Sequence, residues 1–503
     1  MKNYQRLLLS IISVLFLFLS FKELGFLAWI SLIPFLIVIY NSNLRQALLF
    51  SFICGFSFFA SVTYWMTELP VKYTWLLIAI LLSFIFLVFG IALYFILKKI
   101  HQPYIRIFLI PAVWILMEYL RSQTLLAFTI GILGYTQHNL LPLMHVARFT
   151  GIYGVSFIII LCNAAIFETV ISSIKNKKVI FKYLIVSLSI LLIFVTYGII
   201  SVNNNLNRVV KEKGYNEIKL AVVQPNVLFG QKYSRKGIEM IPEPYSDGTY
   251  FQQGIDLVIF PESILWGSID ENKSFKEWAQ NILEHESLCM LIGQYMHDEE
   301  YIRYYNSALL YNSNMEVIGR YDEIHPVPFI QYIPYPRILG FLKFIDFSVV
   351  NLIPGSDYSP LNYSCKGKLG VNICYESTIP SIARKIRNSG AEAIVVLSDG
   401  SSLNDSIATW HHLIFSKVRA IENGCYVVHC ANTGISSIIS PDGTLMARSD
   451  LLEREVLYGS IYMIPQKTFY SRFGNLLLFI YMGVIFFITV VYLILGKIKR
   501  IKK

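Results

Sequence analysis

Long runs of apolar residues separated by short polar segments fill the first part of the chain, and one more run lies near its end. Most of these runs approach the roughly 20 residues that a helix needs to cross a bilayer. The second and fifth runs are shorter, so each is either tilted, extended at its ends or re-entrant. The pattern predicts about eight membrane spans, at residues 7–22, 26–40, 47–66, 75–97, 107–120, 153–172, 180–201 and 475–496.

Between the last two runs, charged residues, glycine and proline return at the frequency of a water-soluble protein. We therefore expect residues 1–201 to form a transmembrane bundle of about seven helices. Residues 202–471 are expected to form a soluble domain, and residues 472–503 a final membrane helix with a basic tail.

Within the soluble domain, short runs rich in Val, Ile and Leu end in polar residues, which is typical of strands buried on both faces. The segments 274–287 and 410–424 carry helical spacing instead, and the second ends in glycine. The alternation predicts an α/β domain of layered sheets and helices. Strands are predicted within 218–227, 255–263, 288–296, 305–313, 368–377, 391–400, 424–443 and 456–463.

Composition agrees with a membrane protein, since 55% of residues are hydrophobic, 15% are charged and the mean hydropathy is +0.53. The net charge of +10 comes largely from lysine and arginine beside the predicted spans. With eight spans these basic groups fall on one side, which is expected to be cytoplasmic. The soluble domain is then outside the cytoplasm, and the basic charge does not predict a nucleic-acid partner.

Three predicted strands end in residues that carry chemistry: Glu262 in "FPES", Cys374 in "NICYES", and Ser398 with Asp399 in "LSDG". In α/β domains, active sites gather at the carboxyl ends of strands. A cysteine that attacks an acyl carbon needs a proton acceptor, and Glu262 is the candidate. The alternatives are that Cys374 is a packed core thiol and that Glu262 only caps a following helix.

Seven cysteines are scattered without a CxxC pair, so neither a zinc site nor a thioredoxin-type motif is predicted. Five of them lie in the soluble domain, where an oxidising compartment allows some to pair, although an odd number leaves at least one free. His325, His411 and His412 have no further ligand at metal spacing. We expect no metal and no cofactor.

Several motifs of the soluble domain together resemble the nitrilase-type carbon-nitrogen hydrolase family. They are "VVQPN", "IDLVIFPES", "GRYDEIHPVPFIQYIP", "LGVNICYES" and "IVVLSDG…RAIENGCYVVHCANTGISSIISPDG", in the family's order and spacing. A membrane body of about eight helices split around such a domain resembles the apolipoprotein N-acyltransferase family, and this likeness covers nearly the whole chain.

The resemblance implies an αββα sandwich with a Glu-Lys-Cys triad. In that family the cysteine takes an acyl chain from a phospholipid as a thioester and passes it to the α-amino group of a lipoprotein's diacylglyceryl-cysteine. By motif, Glu262 is the base, Cys374 the nucleophile and Glu376 a further active-site carboxylate. The implied location is the bacterial inner membrane, with several spans and the large domain on the periplasmic side.

The chain departs from the family pattern at three places. Glu323 stands where the family has its catalytic lysine, Gln331 replaces a glutamate of the same loop, and residues 399–403, "DGSSL", lack an aromatic pair. A glutamate disfavours both the thiolate and the oxyanion that a lysine would stabilise. The oxyanion stabiliser is therefore unassigned.

Three interpretations of Glu323 stay open: another cation such as Arg320, Lys343 or Lys368 takes the lysine's place; the chemistry has changed; or the protein binds lipid or lipoprotein without catalysis. A membrane-anchored amidase, in which water resolves the thioester, is the alternative enzyme. Glu323 is alternatively a solvated surface charge. Five residues are assigned to substrate contact: Trp266, His325, Phe329, Gln331 and Tyr375. Four aromatic residues either line an acyl-chain entrance or pack within a loop: Trp266, Phe329, Tyr332 and Tyr335.

Overall fold

The structure, a computed structural model, divides into two units. The first comprises residues 1–67, 72–203 and 473–503, and the second comprises residues 68–71 and 204–472. The residues that the structure describes are 1–68, 74–123, 127–177, 180–203, 214–228, 251–286, 288–298, 300, 303–328, 330–332, 337, 352–363, 366–403 and 406–501.

The first unit is helical, and seven of its described helices are long and apolar enough to cross a membrane. These are Asn3–Ser20 (α1), Leu44–Thr63 (α3), Thr74–Lys99 (α4), Pro103–Gln123 (α5), Ile152–Asn176 (α8), Lys182–Asn203 (α9) and Leu476–Ile501 (α14). Shorter helices are Ile33–Tyr40 (α2), Leu141–Met144 (α6) and Ala147–Thr150 (α7), with 3-10 turns at Gly25–Trp29, Tyr64–Glu68 and Leu133–Gln137.

Of the two predicted spans with short apolar runs, the second, residues 26–40, is also short in the structure. The apolar segment Gly25–Tyr40 begins with a 3-10 turn and continues as α2 from Ile33. Pro34 in the first turn of α2 separates the two pieces, because proline suits the start of a helix but not its interior. The fifth predicted span, by contrast, extends at both ends into the 21-residue helix α5.

Basic side chains gather where this short segment ends. The Arg6 guanidinium donates to the carbonyl of Asn41 at 2.7 Å, and the Lys98 ammonium donates to the carbonyl of Tyr40 at 3.0 Å. The Lys175 ammonium lies 5.3 Å from the Tyr40 ring centroid. The short segment therefore returns the chain to the end of the unit from which α1 starts.

The second unit contains two β-sheets. The first sheet has the order β13-β1-β2-β4-β5-β6, with β3 paired to β4. Its strands are Glu217–Gln224 (β1), Leu257–Ile259 (β2), Leu265–Trp266 (β3), Cys289–His297 (β4), Tyr304–Tyr311 (β5), Val317–Asp322 (β6) and Glu455–Tyr462 (β13).

The second sheet has the order β12-β11-β10-β9-β8-β7. Strands β8, β9 and β10 are parallel and entirely buried over most of their length, which explains their continuous apolar runs. The strands are Leu361–Tyr363 (β7), Gly367–Ile373 (β8), Ala393–Ser398 (β9), Val427–Ala431 (β10), Ser437–Ile439 (β11) and Leu445–Arg448 (β12).

The two sheets pack face to face, since the Cys430 thiol of β10 lies 3.4 Å from the carbonyl oxygens of Val223 and Ile259 in the first sheet. Helix Lys273–Glu286 (α10) covers the first sheet through Phe275 and Trp278. The second sheet is covered by Pro380–Asn388 (α11) and Ile407–Asn423 (α12), and Phe469–Phe473 (α13) follows β13. The domain is thus the αββα sandwich that the resemblance implies.

The predicted strands and both predicted helices are confirmed, with ends shifted by a few residues. Strands β3, β6, β7 and β12 and helix α11 are not among the predictions, because they are short or partly exposed and carry little apolar pattern. Every described cysteine is a free thiol, and Cys365 lies outside the described residues.

Candidate active site

Cys374 lies directly after β8, where the chain turns into the 3-10 helix Cys374–Thr378. Its φ of +49° is in the left-handed region, which a non-glycine residue adopts only at an energetic cost. At this turn Cys374 as a whole residue is partly exposed, whereas Ile373 before it is fully buried. Its position at a turn beside acidic side chains, rather than within the strand, does not favour the alternative of a packed core thiol.

Glu262 lies in the loop between β2 and β3, and its carboxylate hydrogen-bonds the Cys374 thiol. Its Oε1 accepts from Asn306 Nδ2 at 2.9 Å, and its Oε2 accepts from the backbone N–H of Asp399 at 2.9 Å. Strand β3 follows this loop, so the idea that Glu262 caps a helix is wrong. Two N–H donors instead hold the carboxylate against the thiol.

Close packing against β4 fixes the backbone of Glu262. A Cβ on Gly293 would lie 2.5 Å from the carbonyl oxygen of Pro261 and 2.6 Å from the Cα of Glu262. Glycine is therefore required at this position, because any side chain would push the loop away from the site.

Glu323 follows β6 and is buried, with 1% of its surface exposed. The interpretation of Glu323 as a solvated surface charge is therefore wrong. Its Oε2 accepts from Asn306 Nδ2 at 2.9 Å and from Gln331 Nε2 at 3.3 Å. Asn306 thus donates to both Glu262 and Glu323, and the two carboxyl groups share one amide.

Glu376 ties the cysteine turn to the segment that carries Glu323. Its Oε2 accepts from the Tyr321 hydroxyl and from the N–H of Ile373, both at 2.8 Å. Its Oε1 accepts from the N–H groups of Ile324 and His325, at 2.7 and 3.2 Å. These bonds use both oxygens, so the geometry gives Glu376 a positioning task; its family role as a catalytic carboxylate stays a prediction.

The electrostatic environment opposes a preformed thiolate. Burial raises the pKa of the Cys374 thiol well above its usual range, and the negative charges of Glu262 and Asp399 raise it further. Cys374 is therefore a thiol at neutral pH, and its proton must leave during attack. The hydrogen bond to Glu262 supplies the path for that proton.

The five residues assigned to substrate contact lie in different surroundings. Trp266 packs on Tyr295 and Tyr304, with ring centroids 5.0 and 4.9 Å apart, so its side chain belongs to an aromatic cluster. The rings of His325 and Tyr375 lie 6.4 Å apart beside the cysteine turn, and burial lowers the pKa of His325. Gln331 contacts Glu323, and Phe329 lies outside the described residues.

Sequence reasoning missed Asn306 and Tyr321. Both are buried polar groups within strands, Asn306 in "YYNSALLY" of β5 and Tyr321 in "VIGRYD" of the partly exposed β6. A buried amide within a strand needs partners, which is the signal that would have identified Asn306. Within the described ranges, no three His, Cys, Asp or Glu side chains are grouped as metal ligands would be.

Comparison with known proteins identifies both units. A family model described as "Carbon-nitrogen hydrolase" matches residues 216–463, and one described as "Apolipoprotein N-acyltransferase N-terminal domain" matches residues 13–165. The protein is thus a multi-pass membrane protein that carries a carbon-nitrogen hydrolase domain.

Curated relatives extend this match over almost the whole chain. Apolipoprotein N-acyltransferase of Geobacter metallireducens is 28% identical over 484 residues, which cover 93% of this chain and 91% of the relative. The enzymes of that name from Rickettsia prowazekii and Haemophilus influenzae are 26% and 27% identical, and the matches cover 90% and 95% of this chain and 91% and 93% of theirs. The chain is therefore similar to apolipoprotein N-acyltransferases along nearly its whole length.

Proposed function

We propose that this protein transfers an acyl chain from a membrane phospholipid, through a thioester on Cys374, to the α-amino group of a diacylglyceryl-cysteine at the start of an apolipoprotein. The observation that carries the proposal is the Cys374 thiol, held beside the carboxylate of Glu262 at the end of β8. The similarity to apolipoprotein N-acyltransferases along both units supports the substrate class.

In the first half of the reaction, the Cys374 sulfur attacks the ester carbonyl carbon of the phospholipid while Glu262 accepts the thiol proton. A sulfur–carbon bond forms, and the carbonyl electrons move onto oxygen. The tetrahedral intermediate then collapses, and the ester carbon–oxygen bond breaks. Glu262 gives its proton to the leaving alkoxide, which departs as a lysophospholipid.

In the second half, the α-amino nitrogen of the acceptor attacks the thioester carbon. Glu262 accepts a proton from that nitrogen, the carbon–sulfur bond breaks, and the proton passes to the departing sulfur. The product is an amide, and Cys374 returns to the thiol form that its surroundings favour. The amine must exclude water from this step, because attack by water would make the protein an amidase-type hydrolase instead.

We place the soluble domain on the periplasmic side of the bacterial inner membrane. The support is the gathering of Arg6, Lys98 and Lys175 around the end of the short segment Gly25–Tyr40. If this segment crosses the membrane, eight crossings keep these basic residues on one side, which is the cytoplasmic side. The final span then separates the domain from the basic tail on the cytoplasmic side.

Incubation of the full-length protein in detergent micelles with phosphatidylethanolamine and a diacylglyceryl-cysteine peptide tests the proposal. Mass spectrometry of the peptide should show an amide-linked acyl chain with the wild type and none with Cys374→Ala. The same peptide with an acetylated α-amino group is the control and should stay unchanged. Release of free fatty acid without peptide acylation would replace the transferase with the hydrolase.

A further inference from the structure

The two oxygens of the Glu323 carboxyl group have different surroundings. Oε2 accepts two amide hydrogen bonds, from Asn306 and Gln331. Oε1 is buried and has no hydrogen-bond partner among the described residues. An ionised carboxylate would place unpaired negative charge on this oxygen, which is costly in a buried site. A neutral carboxyl group fits the arrangement, because its carbonyl oxygen accepts at Oε2 and its hydroxyl donates from Oε1.

The neighbouring acids favour the same assignment. Both oxygens of Glu262 and both oxygens of Glu376 accept hydrogen bonds from N–H or O–H donors. Burial raises the pKa of Glu323 well above its usual range, and the charges of Glu262 and Glu376 raise it further. Burial also raises the pKa of Glu376, to about 7, although its four hydrogen bonds work against that rise. Because carboxylates that share a site cannot all ionise, Glu323, which has the unpaired oxygen, is the acid that keeps its proton.

The other titratable groups around Glu323 do not supply a positive charge. Tyr321 is neutral because burial and Glu376 raise its pKa, and burial lowers the pKa of His325. The Cys374 thiol is protonated, and Asp399 is a further acid whose side chain accepts hydrogen bonds from Asn432 and Ser401.

The basic residues considered from the sequence lie elsewhere or outside the described residues. Arg320 precedes Tyr321 in β6 and therefore points to the opposite face, where its Nε lies 2.8 Å from Asp322 Oδ1. Lys368 is in the first part of β8, about 20 Å of strand away from Cys374. Lys343 lies outside the described residues.

We propose that Glu323 acts as a neutral carboxylic acid, whose Oε1–H group donates a hydrogen bond to the oxyanion of each tetrahedral intermediate. This inference rests on the acyl transfer proposed for Cys374. Glu323 keeps its proton throughout, while Glu262 moves the proton between thiol, leaving group and amine. The neutral form also avoids a negative charge beside the attacking sulfur. Glu323 thus stabilises the oxyanion, which is the role that the family resemblance gives to a lysine.

Replacement by glutamine separates this role from an anionic one. Glutamine keeps a carbonyl oxygen for Asn306 and Gln331 and places an N–H group where Oε1–H stands. In single-turnover experiments with dioleoyl phosphatidylethanolamine in detergent micelles, the rate of thioester formation in Glu323→Gln should stay within about tenfold of the wild-type rate. Glu323→Ala removes the donor and should lower that rate by about 10²–10³-fold, as the loss of one oxyanion donor does elsewhere.

The pH profile provides a second readout that does not depend on the alanine variant folding. The wild-type rate should fall as pH rises through the pKa of Glu323, because ionisation removes the donor and adds a charge. The Glu323→Gln profile should lack this fall and keep only the changes that come from other groups, such as Glu376, whose pKa burial raises to about 7.

Each contrary result has a separate meaning. Equal losses in Glu323→Gln and Glu323→Ala would overturn the inference in favour of an anionic role. A wild-type rate in Glu323→Ala would overturn it in favour of another donor. A wild type that forms no thioester, while Cys374 is intact by mass, would overturn the proposed function and this inference together.

Discussion

Asn306 joins the two carboxyl groups of the site, so its removal is expected to slow the reaction strongly. Its amide donates to Glu262 Oε1 and to Glu323 Oε2, both at 2.9 Å. A hydrogen bond to a charged group contributes about 1.5–3 kcal/mol. In Asn306→Ala the bond to Glu262 is lost while Glu262 must act as a charged base. At about 1.4 kcal/mol for each factor of ten, thioester formation should slow about 10- to 100-fold.

The neighbouring residue of the same strand provides the matched control. Ser307 faces the other side of β5, where its hydroxyl donates to Asp322 Oδ1 at 2.5 Å. Ser307→Ala also removes a hydrogen bond to a carboxylate, but a part-buried one on the face of β5 opposite the site. Single-turnover mass spectrometry and thermal unfolding of both variants should show a rate loss only in Asn306→Ala. If Asn306→Ala is as fast as Ser307→Ala, the shared amide does not organise the two carboxyl groups.

Three further predictions follow from the packing and charge of the site. Gly293→Ala should abolish most acyl transfer, because the new methyl group collides with the backbone of Glu262. Gly459→Ala is the control: its methyl group meets only the flexible end of the Ile438 side chain, so this variant should retain acyl transfer in the peptide assay. Glu376→Gln places an NH₂ donor among the four groups that donate hydrogen bonds to Glu376, so it should lower both the melting temperature and the transfer rate. An unchanged melting temperature would show that these four hydrogen bonds do not stabilise the turn at Cys374. Because the pKa of Glu323 is raised, its contribution to stability is present below the ordinary carboxyl pKa of about 4.3 and is lost as pH rises toward the folded pKa. The melting temperature of Glu323→Gln minus that of the wild type should therefore increase between about pH 5 and pH 8, and a constant difference would refute the raised pKa.

The membrane spans and buried strands could be predicted from the sequence because each carries a long, uniform apolar signal. Strands β8 and β9 are examples, since burial on both faces leaves continuous runs of Val, Ile and Leu. The short strand β3 and the half-exposed strand β6 carry no such signal, so they could not be found this way.

From the sequence, the role of a site residue could be predicted only where the residue type by itself indicates the role. Cys374 directly follows β8 and Glu262 lies in the loop after β2, and their types suggest a nucleophile and a base. The meaning of Glu323 depends on what surrounds it, because the same side chain is a solvated anion in water and a neutral donor in a buried cluster. Asn306 comes from a different strand, so its bridge between two carboxyl groups arises only when β5 lies beside the loops that carry them.

Intact-protein mass spectrometry after incubation with phospholipid tests most directly whether Cys374 carries an acyl chain in a site that has a glutamate at the lysine position. We predict a mass increase of one acyl chain on the wild type, removed by hydroxylamine and absent from Cys374→Ala. No adduct on the wild type, at any pH at which the protein remains folded, would contradict it and favour a protein that binds lipid or lipoprotein without catalysis.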